Sequence, residues 1–469
     1  MNRQQLFLLV GIVLFMEGCS LAPQYTQPQA LIPAEWPQGA AYKDTRAMSG
    51  APTVPELSRQ EYFTDEKLQK IIEMALSNNR DLRLAALNVE RARALYGIQR
   101  AELFPAVNAV GAWNKQRRST DLISPGDPRT IEQYSVDLGI AAWEIDFFGR
   151  IRSLKDRAME EYLSTKQARR SAQIALVSEV VRVYMTLAAD RGKLKLARST
   201  LETQHASYSL IKRRYEIGLA NELDLRQAQT RVDAARRDEA RFTQLVAQDQ
   251  NALNLLAASP VPENLLPADL RSVTPPKEIS PGLSSEVLMN RPDIMAAEHR
   301  LKGAYAFIGA ARAALFPRIS LTTSVGTASD ELSGLFSSGS GTWNFAPKIV
   351  LPIFDARTWA ALRVSKADRE IILTQYEKAI QTAFREVADA LAVQGTINQQ
   401  VSAQQSLVNA VAETYRLSNK RYTMGIDSYL GVLDAQRSLY AAQQVLIALH
   451  LARLANQVRL YAVLGGGSE

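Results

Sequence analysis

The chain has 469 residues, with 55 Lys and Arg against 48 Asp and Glu and a formal net charge of +7. The two signs are interleaved along the whole length, so the clustered basic patch of a nucleic-acid surface is missing and no nucleic-acid partner is expected. Cys19 is the single cysteine, which excludes an intramolecular disulfide, and the scattered His205, His299 and His450 share no metal-ligand spacing, so no metal, cofactor or enzyme chemistry is expected.

Arg3 is the only early charge, and an apolar run follows from Leu6 to Met16. That run is too short to span a bilayer of ~30 Å but suits the core of a signal peptide, assigned to residues 1–18. It closes on Met16-Glu17-Gly18-Cys19-Ser20. A small residue followed by Cys resembles a bacterial lipoprotein processing site, and Cys19 is the expected lipidation site, which anchors a chain without making it span. Met16 and Glu17 depart from that pattern; the alternative is an ordinary signal peptide with an incidental cysteine. Residues 19–62, rich in Pro, Gln and Ala, read as an extended arm. No later stretch approaches 18 uncharged apolar residues, so any membrane crossing has to use β-strands.

A first repeat is expected over 63–258. Leu68, Ile71, Ile72, Ala75 and Leu76 fall at helical spacing, and the helical pattern runs to about Ala101 before Phe104-Pro105 breaks it. The period then changes to two. Tyr134, Val136, Leu138, Ile140 and Ala142 alternate with Ser135, Asp137, Gly139 and Ala141, and Val107 to Asn114 has a weaker version of the same character. These predict a strand pair over 105–146 with one apolar and one polar or small face. No proline occurs between Pro128 and Pro260, and Val180, Leu187, Leu194, Leu201, Tyr208 and Tyr215 recur every seven residues. This predicts a helical hairpin over 149–258 whose first helix, about 65 residues and roughly 100 Å long, needs partners for its stripe. A Pro-rich linker is assigned to 259–282.

The second repeat, 283–464, answers the first. Ile319, Leu321, Thr323, Val325 and Thr327 alternate, as do Trp343, Phe345, Ile349 and Leu351, giving a strand pair over 317–352. A helical hairpin over 356–464 follows, and 465–469 is a short tail. The duplication is visible residue by residue. Arg214-Tyr215-x-x-Gly218, Leu223 and Ala228-Gln229 recur 207 positions later as Arg421-Tyr422-x-x-Gly425, Leu430 and Ala435-Gln436. Phe104-Pro105 and Asp81-Leu82 recur at an offset of 212 as Phe316-Pro317 and Asp293-Ile294. Gly218 and Gly425 suit left-handed helix caps.

Four short strands cannot close a barrel, and open sheet edges are costly in lipid. Several chains therefore have to pool their strands; three would supply twelve, an even number wide enough for a lumen. The fold class expected is an α+β membrane protein, with a shared transmembrane β-barrel, four strands per chain and twelve per trimer, continuous with a long α-helical barrel. The alternative is a non-channel, envelope-bridging coiled-coil lipoprotein.

Phe147-Phe148-Gly149-Arg150, Asn290-Arg291-Pro292-Asp293-Ile294, Leu315-Phe316-Pro317 and Arg421-Tyr422-x-x-Gly425-x-x-x-x-Leu430-x-x-Leu433-Asp434-Ala435-Gln436 resemble the TolC-type outer-membrane factors. Cys19-Ser20-Leu21-Ala22-Pro23-x-Tyr25 is similar to the start of their lipoprotein branch, typified by OprM. The resemblance covers essentially the whole mature chain. It implies a homotrimeric exit duct in the outer-membrane lipid, with its long α-helical barrel periplasmic. The duct docks through a periplasmic adaptor, or membrane fusion protein, onto an inner-membrane pump, commonly of the RND class. Service to a type I protein or peptide secretion system is the alternative within that reading. The resemblance also implies a periplasmic gate involving Leu430 and Asp434, with Arg437 and Arg421 as salt-bridge partners. It places Tyr215, Gly218, Tyr422 and Gly425 at hairpin tips where an adaptor docks.

Overall fold

The computed structural model describes residues 20–42, 57–280 and 284–467. The signal segment and Cys19 lie outside the described residues. The chain divides into two compact units, and each draws on both sequence repeats. The first holds the described part of Met1–Gln29 with Asn88–Lys166 and Ala296–Tyr376; the second holds Ala30–Leu87, Gln167–Met295 and Glu377–Glu469.

The first unit contains a four-stranded antiparallel sheet in the order β1 (Val107–Arg117), β2 (Thr130–Ile145), β3 (Arg318–Ser329) and β4 (Gly341–Val350). The register pairs Trp113 with Tyr134, Leu138 with Val325, and Val325 with Trp343. Because side chains alternate along a strand, each such rung shares one face. A bulge shifts the β2–β3 register between Ile140 and Trp143. Ala142 takes a φ of +51° there, and its N–H donates to Thr322 Oγ1 at 3.1 Å. β1 and β4 are the open edges, and both are exposed along their whole length.

Small residues set the packing beside the sheet. In α6 (Pro292–Ala313), a side chain at Gly309 would meet Ser153 Oγ at 2.6 Å and Ala22 at 2.8 Å. The arm therefore lies in a groove that only glycine leaves open. Arg312 Nη1 donates to the Leu21 carbonyl at 3.0 Å. Tyr25 packs edge-on against Tyr305 and donates to Glu298 at 3.0 Å.

The second unit is helical. The sequence pattern predicts one helix up to Ala101, whereas the protein forms α2 (Glu66–Asn78) and α3 (Arg80–Ala101). Asn79 separates them. Its backbone leaves the helical region, its Oδ1 accepts from the N–H groups of Asp81 and Leu82 at 3.0 Å, and its Nδ2 donates to the Leu256 carbonyl at 3.0 Å. Asparagine competes with the helix by capping the next one, and that won here. The preceding α1 (Arg59–Tyr62) brings Tyr62 into a stack with Tyr461, ring centroids 4.7 Å apart.

The long helices are α4 (Arg150–Glu216, 67 residues) and α7 (Ala356–Thr423, 68 residues), each followed by a return helix, α5 (Glu222–Ala257) or α8 (Tyr429–Val463). The heptad stripe is buried at Val180, Leu187, Ile380 and Val387. It turns half-buried further along, at Leu201, Tyr208 and Val401, and Tyr208 packs there on the chain's own core of Ile211, Val432 and Leu433. One 18-residue window of α4 is apolar enough by composition to cross a bilayer, and 56% of it is buried inside the protein. Val181, Met185 and Ala188 mark it as core. The Pro-rich stretch 259–280 is no loose tether: Leu266, Val273 and Ile279 are buried, and Lys277 N–H donates to the Tyr62 carbonyl at 3.0 Å.

Candidate functional site

The sheet separates two chemistries. One face carries Val107, Trp113, Tyr134, Val136, Leu138, Ile140, Val325, Trp343, Phe345 and, past the bulge, Trp143 and Leu321. Trp343 on this face is 80% exposed in the single chain. From the Trp113–Tyr134 rung to the Trp143–Leu321 rung β2 runs ten residues. That is about 30 Å along the strand and, at a tilt of ~40°, about 23 Å in height, the thickness of an outer-membrane apolar band with aromatics near each end. The other face carries Asn108, Asn114, Gln133, Ser135, Asp137, Ser324, Asn344 and Lys348. The last residues of this face are charged and mutually paired: Glu144 accepts from Arg150 at 2.8 Å and Arg318 at 3.2 Å.

Two glycines on the polar face report its curvature. A Cβ on Gly139 would fall 2.5 Å from the Thr323 carbonyl oxygen, and one on Gly326 would fall 2.2 Å from that of Val136. Neighbouring strands approach too closely there for any side chain, so the polar face is the concave one.

In the second unit both hairpin turns are closed at the same six positions of the repeat, of which Arg, Tyr and Gly are identical. Gly218 has φ +78° and donates to the Tyr215 carbonyl at 3.0 Å, while Leu219 donates to the Arg214 carbonyl at 2.7 Å. Gly425 has φ +74° and donates to Tyr422 at 2.9 Å, while Ile426 donates to Arg421 at 3.0 Å. This paired 5→2 and 6→1 closure is a Schellman cap, and it accounts for glycine at the same place in both turns.

The turns are alike, but their side chains are not. Position 427 is Asp, whereas its counterpart 207 residues earlier is Ala220. Arg421 is accordingly held by Asp427, with Nη2 at 3.0 Å from Oδ1, and the guanidinium pulls the Asp427 carboxyl below its usual range. Arg214 has no such acid. Its Nη1 donates to the Tyr422 hydroxyl at 3.0 Å, and its guanidinium lies 5.3 Å from that ring's centroid, which ties α4 to α7. Tyr422 also packs on Tyr429, centroids 5.1 Å apart, above a core of Ile211, Ala228, Val432 and Leu433.

On α8, Leu430 is 57% exposed, and Asp434 and Arg437 are each 62% exposed and ion-paired with each other. Val432, Leu433, Ala435 and Gln436 between them are buried. Leu430, Asp434 and Arg437 thus form one uncovered face beside a packed one. Asp434 has Arg437 as its partner, and Arg421 goes to Asp427 instead. Tyr215 is exposed where Tyr422 is half-buried. Sequence reasoning missed Arg214, Asp427 and Tyr429; the signal for the first two was the unequal acid content of the duplicated turns. Among the described residues no cluster of His, Cys, Asp and Glu could hold a metal ion.

The sequence matches the family model described as outer membrane efflux protein over residues 71–259 and 283–466. It is 47% identical over 465 residues, 99% of this chain and 96% of the relative, to a toluene efflux pump outer membrane protein, TtgC, of Pseudomonas putida. It shares the same identity and coverage with the antibiotic efflux pump outer membrane protein ArpC of Pseudomonas putida. Its fold is similar to the open state of the MtrE outer membrane channel of Neisseria gonorrhoeae, with a TM-score of 0.84 and 36% identity over 96% of this chain and 98% of that one.

Proposed function

This chain belongs to the outer membrane efflux protein family and is an outer-membrane efflux duct; on that premise we propose that three copies assemble, that Leu430 and Asp434 narrow the duct at its periplasmic end, and that small apolar or amphipathic solutes leave through it. The observation that carries the assembly is the sheet with two open edges, an apolar convex face and a polar concave one. Three such sheets placed edge to edge satisfy every strand and enclose water. The concave face mixes Asp137, Lys348 and neutral amides, so it carries no strong charge bias. A wall of that kind leaves the choice of cargo to an inner-membrane pump, reached through a periplasmic adaptor that docks on the Gly218 and Gly425 turns. The pump is of the proton-driven RND class. The cargo class follows the relatives whose names specify toluene and antibiotics.

Lipidation of Cys19 fits the position of the arm. Leu21 and Ala22 are fixed beside the last turns of α6, a few residues before β3 begins. Mass spectrometry of the mature N-terminus tests this; an unmodified Cys19 thiol excludes it.

In the assembled trimer the Leu430 face forms an apolar ring that resists wetting, and Asp434 forms a ring of carboxylates favouring cations. An exposed ion pair such as Asp434–Arg437 stabilises by only about 0–1 kcal/mol, so the ring can re-pair when the tips part. The double substitution Leu430→Ala, Asp434→Ala should raise single-channel conductance in planar bilayers and weaken cation preference. Unchanged conductance from a correctly assembled trimer would remove these residues from the gate.

A further inference from the structure

We propose that a basic cleft in the second unit binds a small ligand bearing carboxylate or phosphate groups. The cleft measures about 480 Å³ and lies where α1, α4, α8 and the Gly-rich tail meet. Arg169, Gln173 and Val177, four apart along α4, form one wall with Arg170 and Ile174 beside them. Ser58, Arg59 and Tyr461 form the other.

Three guanidinium groups therefore line one cavity, and among the described residues none of them is in an ion pair. The nearest acid on α1, Glu61, is committed elsewhere: it accepts from Ser58 N–H and Ser58 Oγ, both at 2.8 Å. Arg59 Nη1 is shut off from solvent and makes no hydrogen bond. A buried, charged N–H group without an acceptor is expensive, and structures rarely retain one without a reason. The other N–H groups of the cleft-lining Arg59, Arg169 and Arg170 are what a bound oxyanion would meet, and guanidinium forks match carboxylate and phosphate oxygens bidentately.

The walls are fixed before any ligand arrives. Tyr461 is buried and stacked on Tyr62. A side chain at Gly466 would meet Ile174 at 2.7 Å, and one at Gly467 would meet the Leu57 carbonyl at 2.2 Å, so the tail has to be glycine to close this side. The volume is too large for one acidic side chain from a neighbouring copy and falls in the range of small-molecule sites.

The test uses full-length protein in detergent, with citrate and inorganic phosphate as probes and sodium chloride at equal ionic strength as reference. Unfolding temperature followed by tryptophan fluorescence should rise saturably with citrate or phosphate and not with chloride. The order of the two probes tells carboxylate from phosphate recognition. Arg59→Gln with Arg170→Gln should weaken the half-saturating concentration at least tenfold. Without anion this variant should melt no lower than the parent, because an unpartnered buried group is removed. Arg169→Gln, at an exposed position, should weaken the response less and guards against misfolding of the double variant. A response that tracks ionic strength alone, or that survives in the double variant, overturns the proposal. So does a double variant that melts lower or loses its assembly without any anion, since the cleft would then be filled by a neighbouring copy's acidic side chain.

Discussion

Arg214 and Arg421 occupy equivalent places in a duplicated turn and do different work because of one neighbour. Asp427 takes Arg421 out of circulation, and Ala220 leaves Arg214 free to reach Tyr422. Tyr422→Phe keeps the ring packing on Tyr429 and deletes the hydroxyl acceptor, at a cost of about 0.5–1.5 kcal/mol. It should increase the open time of single channels, whereas Tyr215→Phe, at an exposed position, should leave the recordings unchanged. A second residue-scale prediction concerns Asp249 on α5. Burial, and then the nearby Asp190 carboxylate, raise its carboxyl to about 6, with Lys193 and Arg182 of α4 only partly opposing them. One of its oxygens is buried without a partner. The folded protein thus holds this proton more tightly than the unfolded chain does. The contribution is fully present below about pH 4 and is lost as pH rises through about 6. Asp249→Asn should flatten the melting temperature across that window and raise it at pH 7. An unchanged slope would show that Asp249 is not its source. None of this was legible in the sequence, because a helix-face acid looks the same whether it faces solvent or Asp190.

Elements were legible where periodicity was strong and where punctuation was covalent. The strands were found because tryptophans and β-branched residues alternate with Ser, Asn and Asp, and the hairpin tips because glycine is the residue that accepts a φ near +75° cheaply. Nothing lies within 4 Å of a Cβ built on Gly425, so Gly425→Ala costs only the backbone penalty, about 1 kcal/mol. Hydrogen exchange should quicken in the last turn of α7 and the first of α8 without loss of global stability. Gly326→Val is the opposite case, since its side chain would strike the Val136 carbonyl. It should reduce the yield of assembled protein in the membrane sharply. What periodicity could not show was the break at Asn79, because the apolar pattern continues across it; the cap itself is local, and only the Asn79 side-chain amide N–H reaches a carbonyl 177 residues away. The packed course of 259–280 was hidden for a similar reason: proline marks where a helix ends, not whether the next segment is buried.

At the scale of the whole molecule, the duplication and the four strands were enough to infer that neighbours are required, because an even barrel is a matter of counting. How α1, α4, α8 and the tail enclose the arginine cleft was invisible, since its residues lie up to about 400 positions apart. β1 and β4 are separated within one chain by two strands, roughly 14 Å, which is twice the reach of a disulfide. Cysteines introduced on both edges, at positions such as Ala112 and Asn344 in a Cys19→Ser background, should therefore cross-link only between copies. Covalent trimers on denaturing gels are the expected result, and bands that stop at monomer would rule out edge-to-edge closure. The exposed edges also carry a genetic consequence. A ring in which each copy supplies both a donor and a recipient edge has no tolerance for one bad link. Co-expressing equal amounts of normal chain and a chain carrying Phe345→Pro, a second interruption in an edge strand that already holds Pro347, should leave only about one ring in eight intact. Such an allele would act dominantly, silencing export far beyond its own share of the pool.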